Sequence, residues 1–147
     1  MKTKLFCIGL VLISQWVCAS VGGTTDEGSL EVGAQLDEKG IFIPHSEGLV
    51  NLRIVDNKFQ LYFVDAEKKL VEPDAVKIIV RYSSQVRRGE SESTVVLNPG
   101  PGSLYFTASR PILPPHFYRV KVILVFADKE ATEYLPEKLL NQLGTSD

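Results

Sequence analysis

The 147-residue chain holds two cysteines, one tryptophan and one methionine. All of them, Met1, Cys7, Trp16 and Cys18, fall within the first 19 residues. The remainder therefore has no thiol, which excludes a disulfide framework, a cysteine nucleophile and thiolate metal ligation there. A chain of this length buries roughly two-thirds of its unfolded surface, so it can fold without cross-links. Glycosylation acceptors are absent too, because Asn51, Asn57, Asn98 and Asn141 all lack Ser or Thr two positions on. Long apolar runs are equally scarce. The longest, Leu5 to Ile13, spans only about half of the roughly 20 residues a membrane helix needs.

That run has charged Lys2 and Lys4 before it and the small residues Cys18-Ala19-Ser20 after it. Charged, apolar and small-residue regions in this order predict a cleavable signal peptide over residues 1–19, cut after Ala19. Cys18 offers an alternative, a lipid anchor on Cys18 as the first mature residue. Gln15-Trp16-Val17 does not match the Leu-small-small run that normally precedes a lipidated cysteine. Export without disulfides or glycosylation sites points to a bacterial periplasm first and the extracellular medium second.

Basic charge is sparse. The formal net charge is −2, and without Lys2 and Lys4 it becomes −4. A nucleic-acid partner needs a basic stripe to displace counterions. The densest basic spot, Arg81, Arg87 and Arg88, is followed at once by Glu90 and Glu92. It reads as a solvated hairpin end.

What the chain does have is alternation. Residues 20–40 are small, polar and aperiodic and read as a flexible arm. From 41 to 136 the dominant period is two, the mark of strands with one buried face. Tyr118, Val120, Val122, Leu124 and Phe126 form the longest row, Phe59, Leu61 and Phe63 a second, Val76, Ile78, Val80 and Tyr82 a third, and Leu52 and Ile54 a fourth. Asp56-Asn57-Lys58 supplies a hairpin-sized gap, and Asn tolerates the left-handed backbone it needs. Asn98-Pro99-Gly100-Pro101-Gly102 is a loop, flanked by short strands at 93–97 and 103–107. Residues 131–134 are placed to pair back on the long strand. Glu137 to Leu143 predicts a two-turn helix closing the chain, within a tail of 137–147. Short strands with turns between them and no crossover helix predict one all-β domain, an antiparallel β-sandwich of about seven strands.

The chemistry-bearing inventory is thin. No Gly-x-Ser-x-Gly elbow occurs, and Gly100 and Gly102 open no phosphate-cradling helix. Asp65, Glu67, Glu72 and Asp74 gather around one turn, where Lys68-Lys69 opposes a calcium loop. Two histidines remain. His45, in Pro44-His45-Ser46-Glu47-Gly48, has Glu47 beside it, and His116 opens the long strand after Pro114-Pro115. If both entrances lie at one end of the sandwich, His45, His116 and Glu47 could hold Zn²⁺ or Cu²⁺. Arg110 to Pro115 reads as a rigid lead-in to the strand at Phe117 rather than an exposed polyproline ligand.

Pro44-His-Ser-Glu-Gly-Leu-Val, Phe59-Gln-Leu-Tyr-Phe-Val-Asp65 and Lys69-Leu-Val-Glu-Pro-Asp74 together resemble a small immunoglobulin-like or transthyretin-like module. Such modules occur in exported bacterial proteins, some attached to heavy-metal efflux adaptors. The likeness covers about a quarter of the chain. Ser46-Glu47 stand where that pattern has glycines, Lys68 replaces its turn glycine, and only His45 matches a position such modules use for metal. The resemblance implies the fold and the compartment. The resulting expectation is a non-enzymatic binding or accessory module whose partner is another exported protein or envelope component, with recognition on loops 83–92 and 98–102. A metal-binding accessory protein is the alternative and a hydrolase the remote one.

Overall fold

The computed structural model describes residues 30–127 and 131–142, so the expected signal peptide and lipidation site lie outside the described residues. Among the described residues nine strands form: β1 (Ile41–His45), β2 (Gly48–Val55), β3 (Lys58–Val64), β4 (Ala75–Ser84), β5 (Ser93–Pro99), β6 (Tyr105–Ala108), β7 (Phe117–Phe126), β8 (Thr132–Tyr134) and β9 (Lys138–Asn141). The domain is all-β and antiparallel. The two-sheet sandwich is not what forms. The strands make one sheet in the order β1-β2-β3-β6-β5-β4-β7-β8, with β9 also on β7.

β8 and β9 pair with successive halves of β7, Ile123–Val125 and Phe117–Val120. They are two pieces of one interrupted edge, and the sheet curls until that edge meets β1. No backbone ladder closes the seam among the described residues, and each edge carries a proline, Pro44 on one side and Pro136 on the other. Proline cannot donate to a ladder. Side chains close the gap instead. At one end the Ser46 N–H and hydroxyl donate to the two Glu133 carboxylate oxygens, both at 2.8 Å. At the other end the Gln142 side-chain amide accepts from the Ile54 N–H at 2.6 Å and donates to the Ile54 carbonyl at 3.2 Å. The result is a nearly closed barrel.

The alternating rows hold as read. Phe59, Leu61 and Phe63 are buried on β3, Leu52 and Ile54 on β2, and Tyr118, Val120, Val122, Leu124 and Phe126 on β7. Five such side chains, each contributing about 1.5–3 kcal/mol on full burial, make β7 central to the core. The row on β4 breaks at one point: Val76 is exposed, because the register slips between Ala75 and Lys77. Asp56 and Asn57 both take positive φ, 49° and 59°, as the two-residue hairpin requires.

Two expectations are corrected. Lys138–Asn141 is a strand rather than a helix. Leucines favour helix intrinsically, but the first half of β7, Phe117–Val120, needs a partner, and a strand there sends Leu140 into the core while leaving Leu139 exposed. Of the expected arm 20–40, residues 30–40 are described, and they form a flap on the outer face of β2 and β3. Leu36 packs with Tyr62, Val64 and Leu70, while the Gly33 N–H bonds to the Leu70 carbonyl and the Leu70 N–H to the Ala34 carbonyl. Below the flap, Arg53 is buried between an ion pair to Asp37 at 2.6 Å and a hydrogen bond to the Asn51 Oδ1 at 2.7 Å. Gly40 turns the chain from flap into β1 at φ +82°, with the Leu52 carbonyl only 2.5 Å from where a Cβ would stand.

Candidate functional site: a cleft at one mouth of the barrel

The strand register assigns each loop to one of two mouths. The Asp56-Asn57 turn, residues 85–92 and residues 109–116 crown the upper mouth. Ser46-Glu47, residues 65–74 and residues 100–104 crown the lower. The upper mouth is floored by three aromatic rings. Phe59, Tyr82 and Tyr118 meet edge to face at centroid distances of 5.1, 6.1 and 5.4 Å.

Residues 109–116 must cross this mouth, because β6 and β7 are separated in the sheet by β5 and β4. Pro111, Pro114 and Pro115 keep this strap from pairing as a strand. It is tied down at discrete points instead. The Ile112 N–H donates to the Asn57 carbonyl at 2.6 Å, the Tyr118 hydroxyl donates to the Leu113 carbonyl, and the Arg87 guanidinium donates to the Pro114 carbonyl at 2.7 Å. Facing the strap is the β4–β5 loop. The Ser84 hydroxyl accepts from the Arg87 N–H at 3.1 Å, and Arg87 pairs with Glu90 at 3.1 Å.

Between loop and strap lies a cleft of about 460 Å³, lined by Tyr82, Arg87, Gly89, Glu90, Ser91, Ser93, Pro111, Ile112, Leu113 and Tyr118. Its size lies within the range of small-ligand sites. Burial pushes the Tyr118 hydroxyl above the usual phenol pKa, with the Arg87 charge partly opposing, so Tyr118 stays a neutral donor. Arg87 and Glu90 neutralise each other, and the rest of the lining offers the hydroxyls of Tyr82, Ser91 and Ser93 beside the apolar Pro111, Ile112 and Leu113.

At the lower mouth His45, Glu47, Glu72 and Asp74 line a smaller cavity of about 260 Å³ with Phe63 and Val71. The His45 Nδ1 accepts the Glu47 N–H at 3.3 Å, and the ring meets Phe63 edge-on at 5.5 Å. Burial and a hydrogen bond with Glu47 push the Asp74 carboxyl up, with the Glu47 charge adding and the nearby His45 opposing. The sequence placed His45 with Glu47 and Glu72 with Asp74, but it set the second pair with Asp65 and Glu67 rather than with the first. Asp65 belongs to its own turn, accepting the Glu67 and Lys69 N–H groups at 2.8 and 3.0 Å, and Glu67 pairs with Lys69 at 2.6 Å.

His116 sits at the other mouth. Its carbonyl accepts the Gln142 N–H, and its Nε2 is buried with no hydrogen-bond partner among the described residues. His45 lies beside Phe63 at the lower end of β3, whereas Gln142 clasps Ile54, which pairs with Phe59 near the upper end. At about 3.3 Å of rise per residue, most of a barrel length separates the two rings. The condition for a shared ion, both entrances at one end, is not met, and among the described residues no group of three or more His, Cys, Asp and Glu side chains is arranged to hold a metal. Likewise the two expected recognition loops part company: 83–92 borders the upper cleft and 98–102 lies at the lower end.

No known protein family, curated protein or solved structure matches this chain.

Proposed function

We propose that this chain is an exported, non-enzymatic binding or accessory module of the bacterial envelope, and that it recognises its ligand in the upper cleft. The observation that carries this reading is the cleft itself: a ligand-sized recess built from the β4–β5 loop and a proline strap over a rigid tyrosine floor. Loops positioned by a rigid scaffold are where binding residues concentrate. The lining supports binding over hydrolysis, since its hydroxyls and Glu90 have no imidazole among them, and a serine nucleophile needs such a base within hydrogen-bond reach.

A fragment screen followed by amide shifts in the labelled protein tests the site. Hits are expected to move Arg87 to Ser93 together with Ile112 and Leu113. Hits confined to the lower mouth, or none at all, would overturn the assignment. The compartment is tested separately by mass spectrometry of cell fractions. Ser20 as first residue in the envelope fraction is expected, and an intact Met1 in the cytosol contradicts export.

A further inference from the structure

We propose that the upper cleft takes a neutral sugar, a pyranose ring held through its hydroxyls. This deepens the reading of the upper cleft as the binding site and rests on it. Several polar groups of the lining are engaged in building its walls. The Tyr118 hydroxyl donates to the Leu113 carbonyl, and the Arg87 guanidinium donates to the Pro114 carbonyl and to Glu90 Oε1. The hydroxyls of Tyr82, Ser91 and Ser93 are not so engaged. All three residues line the cleft, and their side chains have no hydrogen-bond partner among the described residues.

Three free hydroxyls beside a self-neutralised ion pair discriminate among ligand classes. An apolar ligand strips water from those hydroxyls and offers no partner, and a polar group left unsatisfied costs more than a typical hydrogen bond contributes. An anion must draw Arg87 away from both Glu90 and the Pro114 carbonyl, and a cation meets the Arg87 charge beside Glu90. A neutral sugar satisfies the hydroxyls without disturbing the pair, because each of its own hydroxyls both donates and accepts. Glu90 Oε2 is left to accept from one of them. The C–H faces of the ring suit the apolar side of the cleft, Pro111, Ile112 and Leu113.

The walls are fixed before any ligand arrives. The strap is pinned to Asn57, Tyr118 and Arg87, and the Ser84 hydroxyl accepts the Val86 and Arg87 N–H groups at 3.3 and 3.1 Å where the facing loop begins. Tyr82 packs edge to face on Phe59 and Tyr118 at 5.1 and 5.4 Å. Groups held in this way lose little freedom on binding, which favours a ligand that relies on several ordinary hydrogen bonds.

The test titrates glucose, galactose, mannose and N-acetylglucosamine into the labelled protein, each as the monosaccharide and as a tetrasaccharide. At least one should move the amides of Arg87 to Ser93 together with Ile112 and Leu113. Tighter binding of the tetrasaccharide marks a glycan chain as the source, and equal binding a free sugar. Glucuronate and glucosamine, which carry charge, should bind about tenfold more weakly than the best neutral sugar. Tyr82→Phe keeps the ring and removes a hydroxyl that no described protein group uses. It should melt with the parent and weaken the sugar about fivefold. One monodeoxy analogue of that sugar should bind the parent and Tyr82→Phe alike, a coupling that reads the contact independently of folding. Sugar-induced shifts elsewhere, charged sugars that bind as tightly, or indifference both to Tyr82→Phe and to every deoxy analogue would each overturn the proposal. If no sugar binds while fragments of other chemistry move the cleft amides, the sugar falls and the binding site stands. If neither sugars nor fragments move them, both fall.

Discussion

Single side chains at the two mouths carry distinct physical loads. At the lower mouth, the Asp74 carboxyl lies above its ordinary 3.8 because burial and its hydrogen bond with Glu47 favour the protonated form. A carboxyl raised in the folded state contributes stability that is complete below the unfolded pKa and is lost as pH rises through the folded one. Neutral pH is therefore the unfavourable side. Asp74→Asn keeps the shape and removes the charge, so its melting temperature should gain on the parent as pH rises from about 4 to 7. Scanning calorimetry across that range checks the sign, and an advantage that shrinks with rising pH would show that the Glu47–Asp74 contact is misread. At the upper mouth, Tyr118→Phe leaves the Leu113 carbonyl without its donor. The expected cost is about 1 kcal/mol in urea unfolding, with amide shifts concentrated in Ile112 and Leu113. A cost spread through β7 instead would mean that the ring matters and the hydroxyl does not.

At the scale of elements, alternation was enough to find β2, β3, β4 and β7, because each has one face in oil and one in water and the period of two records that directly. Val122, opposite Val80 on β4 and fully buried, shows what such a row implies. Val122→Asp would put a carboxylate with no partner in the core, and the variant should lose its cooperative melt. A folded Val122→Asp protein would refute the register. Elements that close the barrel were less legible. β1 leaves no clear row in the sequence because its burial is mixed: Ile43 is buried while Pro44 is exposed on the seam. β9 looks helical in the sequence because Leu139 and Leu140 sit side by side, and only the open edge of β7 sends them to opposite faces. The flap looks loose in the sequence because Leu36, its one buried side chain among the described residues, gives no periodicity. Its grip comes from partners about thirty residues away, Leu70 and Lys68. The candidate cleft is half legible: the sequence marks the loop 83–92, but the strap facing it looks only like a lead-in to β7. Distances between loops are a property of topology, and the Greek-key order β6-β5-β4-β7 that forces 109–116 across the mouth is not written in any local pattern.

At the scale of the whole molecule, the barrel depends on a closure that local pairing does not complete. The curled sheet ends in two proline-bearing edges, held by Ser46–Glu133 below and Gln142–Ile54 above. Residues 138–142 therefore belong to the closed structure. A chain ending at Pro136, where the alternating region of the sequence stops, would lose the β9 ladder on β7, the fully buried Leu140 and the Gln142 clasp. Leu140 alone accounts for about 2–3 kcal/mol, and the two Ile54 backbone groups for about 1 kcal/mol each if left unpaired. Their loss is comparable to the roughly 5–15 kcal/mol that holds a domain of this size together. Urea midpoints should thus fall in the order parent, Gln142→Ala, Leu140→Ala and truncated chain, with the last scarcely folded. Gln142→Ala isolates the clasp, since it leaves both β9 and Leu140 in place. If the truncated chain unfolds at the parent's midpoint, the sheet does not need its ninth strand, and the protein is an open curl rather than a barrel held shut by residues 138–142.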